Sequence, residues 1–179
     1  ASATITVIAV SPPSLSKGFV PNTMFVGQNS VMTIRLNNND ADTNLTGATY
    51  TDTLPAGLIV ATPNGLTLTN CGPGIASAPA GGTTISLANA TVTPAQDCLV
   101  TVNVTGASGQ YTNTIPAGPG GPGSLQTNQG VTNNTPASAN LNVQPVGITK
   151  AFLPTTIDAG DISALTITLQ NPTGAPYTG

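Results

Sequence analysis

The chain repeats itself, and that repetition limits what it can fold into more than any other feature. Residues 15–24 (LSKGFVPNTM) align without a gap onto residues 148–157 (ITKAFLPTTI), an offset of 133. The alignment runs on: Gly27 meets Gly160, and Met32, Ile34 and Leu36 meet Leu165, Ile167 and Leu169 in the same phase. A second match runs the other way, from residues 1–7 (ASATITV) to residues 137–143 (ASANLNV), at an offset of 136. Self-similarity at a fixed long period is the mark of an array of like units. Residues 1–11 therefore read as the last strand of a preceding unit or a strand donated to a neighbour, residues 12–145 as one complete unit, and residues 146–179 as the first strands of the next. Ile5 and Val7 form the apolar face of that opening strand.

Within the unit the apolar residues alternate with period two, as half-buried strands require. Met32, Ile34 and Leu36 alternate with Thr33 and Arg35, and Val100, Val102 and Val104 with Thr101 and Asn103. Leu66 with Leu68, Ile85 with Leu87, and Leu141 with Val143 mark further short strands rich in Thr and branched aliphatics. Turn chemistry separates them at Pro55-Ala56-Gly57, Pro63-Asn64-Gly65, Ala80-Gly81-Gly82 and along Pro116 to Gly123. The pattern predicts an all-β fold: an antiparallel, immunoglobulin-like β-sandwich of seven to nine strands per unit, set in a tandem or end-to-end array.

Composition narrows the function. Only 5% of the 179 residues are charged, and the three cations are Lys17, Arg35 and Lys150. Three cations cannot form the basic stripe that nucleic-acid binding requires. No run of apolar residues is long enough to span a bilayer, and no basic segment followed by an apolar one opens the chain, so a signal peptide would lie outside this stretch. With no His and no CxxC pair, Cys71 and Cys98 fit one structural disulfide better than a metal site, which places the chain in an oxidising, extracellular or cell-surface setting. The lack of His also closes the Ser-His-Asp and Cys-His routes to nucleophilic catalysis. The chain is expected not to be an enzyme and to need no cofactor.

Three stretches carry a family likeness: Lys17-Gly18-Phe19-Val20-Pro21, Thr51-Asp52-Thr53-Leu54-Pro55-Ala56-Gly57-Leu58, and Tyr111-Thr112-Asn113-Thr114-Ile115-Pro116-Ala117-Gly118. With them, nearly the whole chain resembles the tandem immunoglobulin-like repeats of unknown function found in large bacterial surface and secreted proteins. The resemblance implies a sandwich used as stalk, wall or adhesin spacer, and it transfers no catalytic residues.

Two clusters warrant a chemical reading. The oxygen-rich run containing Asn38, Asp40 and Asp42 has the hard donors that calcium takes, and its bland alternative is a solvated hairpin loop. Lys17 and Lys150 hold equivalent places in the repeat, and a lysine on the first strand of a sandwich invites an isopeptide link assisted by an acid such as Asp52. The candidate acceptors Asn140 and Asn142 are out of phase with Leu141 and Val143 and are expected to face solvent, which favours an ordinary Lys17–Asp52 ion pair or an exposed lysine.

The leading expectation is a structural module of a stalk, sheath or filament, whose partners are other copies of itself or neighbouring repeats of the same chain. The alternative is an adhesin module binding a glycan or host protein through loops such as Asn37 to Asn44 or Pro116 to Gly123. Aromatic residues anchor such sites. The discriminating observation is therefore whether Phe19, Phe25, Tyr50, Tyr111, Phe152 and Tyr177 lie on exposed loops or inside the sandwich.

Overall fold

The computed structural model describes residues 9–170; Ile5, Val7 and Tyr177 lie outside the described residues. The described residues contain strands and no helix. The strands are β1 (Ser14–Val20), β2 (Thr23–Phe25), β3 (Ser30–Asn37), β4 (Leu45–Thr53), β5 (Leu58–Val60), β6 (Thr67–Thr69), β7 (Ile75–Ser77), β8 (Thr84–Val92), β9 (Asp97–Gly106), β10 (Gly109–Ile115), β11 (Ala137–Gln144), β12 (Gly147–Leu153) and β13 (Ala164–Gln170).

The first eleven strands build one unit. One sheet runs β1-β3-β9-β5, with β6 also pairing β9; a second runs β4-β8-β7; a third runs β10-β11-β2, where β2 lies parallel to β11 and all other pairings are antiparallel. The unit thus has more strands than the alternation predicts. The excess comes from β2, β5 and β7, each three residues long, too short to show a period.

Alternation fixes which face of each strand is buried. On β3, Met32, Ile34 and Leu36 are buried while Val31 and Arg35 are exposed; on β9, Cys98, Val100, Val102 and Val104 are buried in the same way. These residues join Tyr50, Ile85, Leu87, Ile115, Leu141 and Val143 in one core shared by all three sheets, a β-sandwich. Each fully buried Leu or Ile contributes about 1.5–3 kcal/mol relative to exposure.

The long connection from β10 to β11 is a structural cover for an open edge. Thr49 of β4 exchanges backbone hydrogen bonds with Gln126, Thr51 N donates to Gly123 O, and Leu125 is fully buried beneath. Gly123 is required there: its φ is +80°, and a β-carbon would stand 2.1 Å from Thr51 O. The edge of β4 is thereby closed to foreign strands.

The repeat is visible in three dimensions. β12 pairs with β13 in the register of β1 with β3: Lys17 lies opposite Ile34 and Lys150 opposite Ile167, Phe19 opposite Met32 and Phe152 opposite Leu165. Even a side-chain tether recurs, Ser30 Oγ donating to Pro21 O and Ser163 Oγ to Pro154 O, each at 2.6 Å. The burial does not recur. Phe19 is 6% exposed and Ile34 1%, whereas Phe152 is 52% and Ile167 65%. A two-stranded hairpin alone is marginal in water. Amides of β12 and β13 are therefore expected to exchange with deuterium on the order of a hundredfold or more faster than those of β3 and β9, as hydrogen-exchange mass spectrometry would show.

Candidate functional site

Three polar residues enter the core in phase with apolar neighbours, each from a different strand. Lys17 lies on β1 between Leu15 and Phe19, whose side chains are buried; Asp52 lies on β4 between Tyr50 and Leu54; Asn113 lies on β10, two residues before Ile115. The side chains of Lys17 and Asp52 are wholly inaccessible, and Asn113 is 1% exposed. Period-two alternation gives these residues no choice of face, because turning one outward would expose its whole strand's apolar set.

The three side chains satisfy one another. Lys17 Nζ donates to Asp52 Oδ2 at 2.6 Å and to Asn113 Oδ1. Asn113 Nδ2 donates to Asp52 Oδ1 at 3.0 Å and to the backbone oxygen of Thr53 at 2.9 Å. Each carboxylate oxygen of Asp52 thus faces one nitrogen, the lysine's on one side and the amide's on the other. Burial lowers the Lys17 pKa below its ordinary value, and Asp52 opposes that shift without cancelling it. Next to the pair, the buried Tyr50 hydroxyl has no hydrogen-bond partner, and desolvation with the nearby Asp52 charge raises its pKa.

Lys17 is therefore buried and in the ion pair with Asp52 that the sequence favours, and the asparagine that joins the pair is Asn113. The acceptors considered from sequence lie elsewhere: Asn140 accepts a hydrogen bond from Thr112 Oγ1 at an exposed position, and Asn142 is half-buried on β11. The signal that marks Asn113 is its phase. It shares a face with Tyr111 and Ile115, the arrangement that Asn140 and Asn142 lack. The other two cations take no part: Arg35 pairs with Asp97 on the surface, and Lys150 is exposed on β12.

The family-like stretches meet around this cluster. Gly57, at φ +101°, lies under the Tyr111 ring, where a β-carbon would come within 2.5 Å of the hydroxyl; that hydroxyl donates to Ala107 O at 2.9 Å. Leu54 and Leu58 of the same stretch are buried.

The run Asn38, Asp40 and Asp42 spends its oxygens on its own loop. Asn38 is buried and donates through Nδ2 to Thr43 O and Val92 O, while its Oδ1 accepts from Asp40 N. Asp40 accepts from the backbone N–H groups of Ser11, Asp42 and Thr43, and the same donors, Ser11 first, hold its carboxyl at about 2, below the ordinary 3.8. Asp42 is exposed. Among the described residues no three acidic, His or Cys side chains gather as a metal cluster. A lowered folded-state pKa contributes stability that is present above about pH 4 and lost as pH falls through about 2. NMR titration is expected to place the Asp40 carboxyl near 2, with the protection factors of amides around residues 38–43, taken relative to intrinsic exchange at each pH, falling across that window.

Cys71, just after β6, is bonded to Cys98 of β9. Among the aromatics, Phe19, Phe25 and Tyr50 are buried and Tyr111 is half-buried, while Phe152 is exposed on the second hairpin.

Solved structures share the architecture. The cohesin module of a family 33 glycoside hydrolase from Clostridium perfringens aligns with a TM-score of 0.54 at 15% identity, covering 75% of this chain and 98% of that one. A variant of the major pilin subunit of Bacillus cereus aligns at 0.50 and 13% identity, covering 77% of this chain but only 42% of the pilin. At such identities the likeness is one of fold. No curated protein matches the chain in sequence. One family does: its model matches residues 13–143, from the start of β1 to the end of β11, and the chain belongs to that family, the domain of unknown function DUF7933.

Proposed function

We propose that this chain is a stretch of an extracellular structural array in which β-sandwich units stack end to end as a stalk, sheath or filament, without catalytic turnover and without a cofactor. The observation that carries the reading is the second hairpin. It repeats β1 and β3 in register, yet Ile148, Phe152, Leu165, Ile167 and Leu169 stand 49–69% exposed where their counterparts are buried. Strands equivalent to the rest of the unit, continuing in the same chain or supplied by a neighbouring copy, would bury that face. The disulfide suits an oxidising compartment, and a solved structure of similar fold is a major pilin subunit.

The adhesin alternative has less support, because three of the five described aromatics that would anchor a glycan or host protein, Phe19, Phe25 and Tyr50, are inside the sandwich. Electron microscopy of native material carrying this segment tests the choice. Filaments or stalks with a regular axial repeat are expected. Compact, unassembled particles that retain glycan or host-protein binding would sink the structural reading.

A further inference from the structure

We propose that Lys17 and Asn113 are the two ends of an intramolecular isopeptide bond that the unit closes by itself, with Asp52 as the proton-transfer group. This concerns the interior of one unit and does not depend on how units stack. The geometry carries it. The lysine nitrogen lies against the carboxamide of Asn113, and Asp52 touches the attacking nitrogen with Oδ2 (2.6 Å) and the departing one with Oδ1 (3.0 Å). Thr53 O holds the amide nitrogen on the side away from the lysine. All three side chains are sealed from solvent, so the amine has no bulk water to keep it charged and no water competes for the amide carbon.

The chemistry balances without any outside reactant. Asp52 takes one proton from the lysine ammonium, leaving a free amine beside a carboxylic acid; burial already favours the neutral amine. The Nζ lone pair attacks Cγ of Asn113, one bond beyond the oxygen it touches in the structure, and the carbonyl pair moves onto Oδ1. The acid delivers its proton to Nδ2 and receives the second proton of Nζ. The Cγ–Nδ2 bond then breaks, its electron pair leaving with nitrogen as ammonia, and the carbonyl reforms. The products are a secondary amide, ammonia and a protonated Asp52, with no change of oxidation state.

The repeat is a second, independent support. The chain has three cations in all, and two of them, Lys17 and Lys150, occupy the same register position of β1 and β12. A chain built almost without charge thus places a lysine at this register position twice, buried at Lys17 and exposed at Lys150.

Intact mass spectrometry of the full chain tests the proposal. The expected mass is that of the disulfide-bonded sequence less one ammonia, and nonspecific proteolysis should yield a branched peptide joining Lys17 to Asn113. A folded chain at full sequence mass, with Lys17 open to an amine-reactive label in denaturant, overturns it. So does an ammonia loss that maps elsewhere, such as a succinimide at Asn64 before Gly65. Asp52→Ala and Asn113→Ala are each expected to show the full sequence mass, with the Cys71–Cys98 bond and circular dichroism confirming which variant has folded. A folded Asp52→Ala that still loses ammonia at the native rate overturns the role given to Asp52.

Discussion

Asp52→Ala is expected to lower the unfolding free energy by at least about 3–5 kcal/mol, the loss that follows when one partner of a buried ion pair is removed and the other is stranded. Lys17 would be left with the Asn113 oxygen as its remaining partner, in a pocket that lowers its pKa even with the carboxylate present. Urea unfolding reads the effect directly. The double variant Lys17→Met/Asp52→Leu separates two contributions, because exchanging a buried pair for apolar side chains of similar volume is often neutral or stabilising. If the pair acts only electrostatically, the double variant returns close to the parent. If the isopeptide bond closes, the double variant also lacks a crosslink between residues 96 apart, which contributes about 4–5 kcal/mol in the chain-entropy account. A double variant that remains well below the parent thus reports the covalent link.

Much of this architecture was legible because it rests on pattern. A gapless match at an offset of 133 announced the second hairpin, and the hairpin has the same pairing as the first. The alternation in 32–36 and 100–104 named the faces that β3 and β9 bury. Three of the three-residue strands escaped, since β2, β5 and β7 form where neighbouring strands offer an edge, and such an offer is tertiary information; β6 was marked by Leu66 and Leu68. The role of the segment that closes the run from Pro116 to Gly123 escaped for the same reason: nothing in Gly123 to Asn128 says that its backbone will cover β4.

The site was half legible. Lys17 and Asp52 stand out in a chain with so few charges, whereas Asn113 is one amide among many. What distinguishes it is that Asn113 shares the phase of Ile115, as Lys17 shares that of Leu15 and Phe19 and Asp52 that of Tyr50 and Leu54. Three polar residues in three apolar phases must meet in one core, because a strand cannot turn a single side chain outward without turning the rest. Which of them touch depends on how the sheets face each other, and that is where the structure was needed.

The disulfide supplies the other large effect. Replacing Cys71 and Cys98 together by Ala is expected to cost about 3–4 kcal/mol, the loop-closure entropy for a crosslink 27 residues apart. For a domain of this size that lowers the melting temperature by on the order of 10 °C. The bond ties the segment after β6 to β9, the strand that pairs with β3, β5 and β6, so it fastens the least regular part of the unit to its most heavily paired strand. Calorimetry of the double variant checks the magnitude, and hydrogen exchange checks the place. Protection should fall first in residues 67–77, where β6 and β7 are short, while the β4–β8 and β10–β11 pairs hold. A uniform loss of protection across the unit would mean instead that the crosslink sets global stability. The Lys17–Asn113 cluster joins β1 to β10 across the core, outside the loop the disulfide closes. Removal of the disulfide is therefore expected to leave the mass deficit of one ammonia intact, and the two crosslinks should contribute additively, as separate sites do.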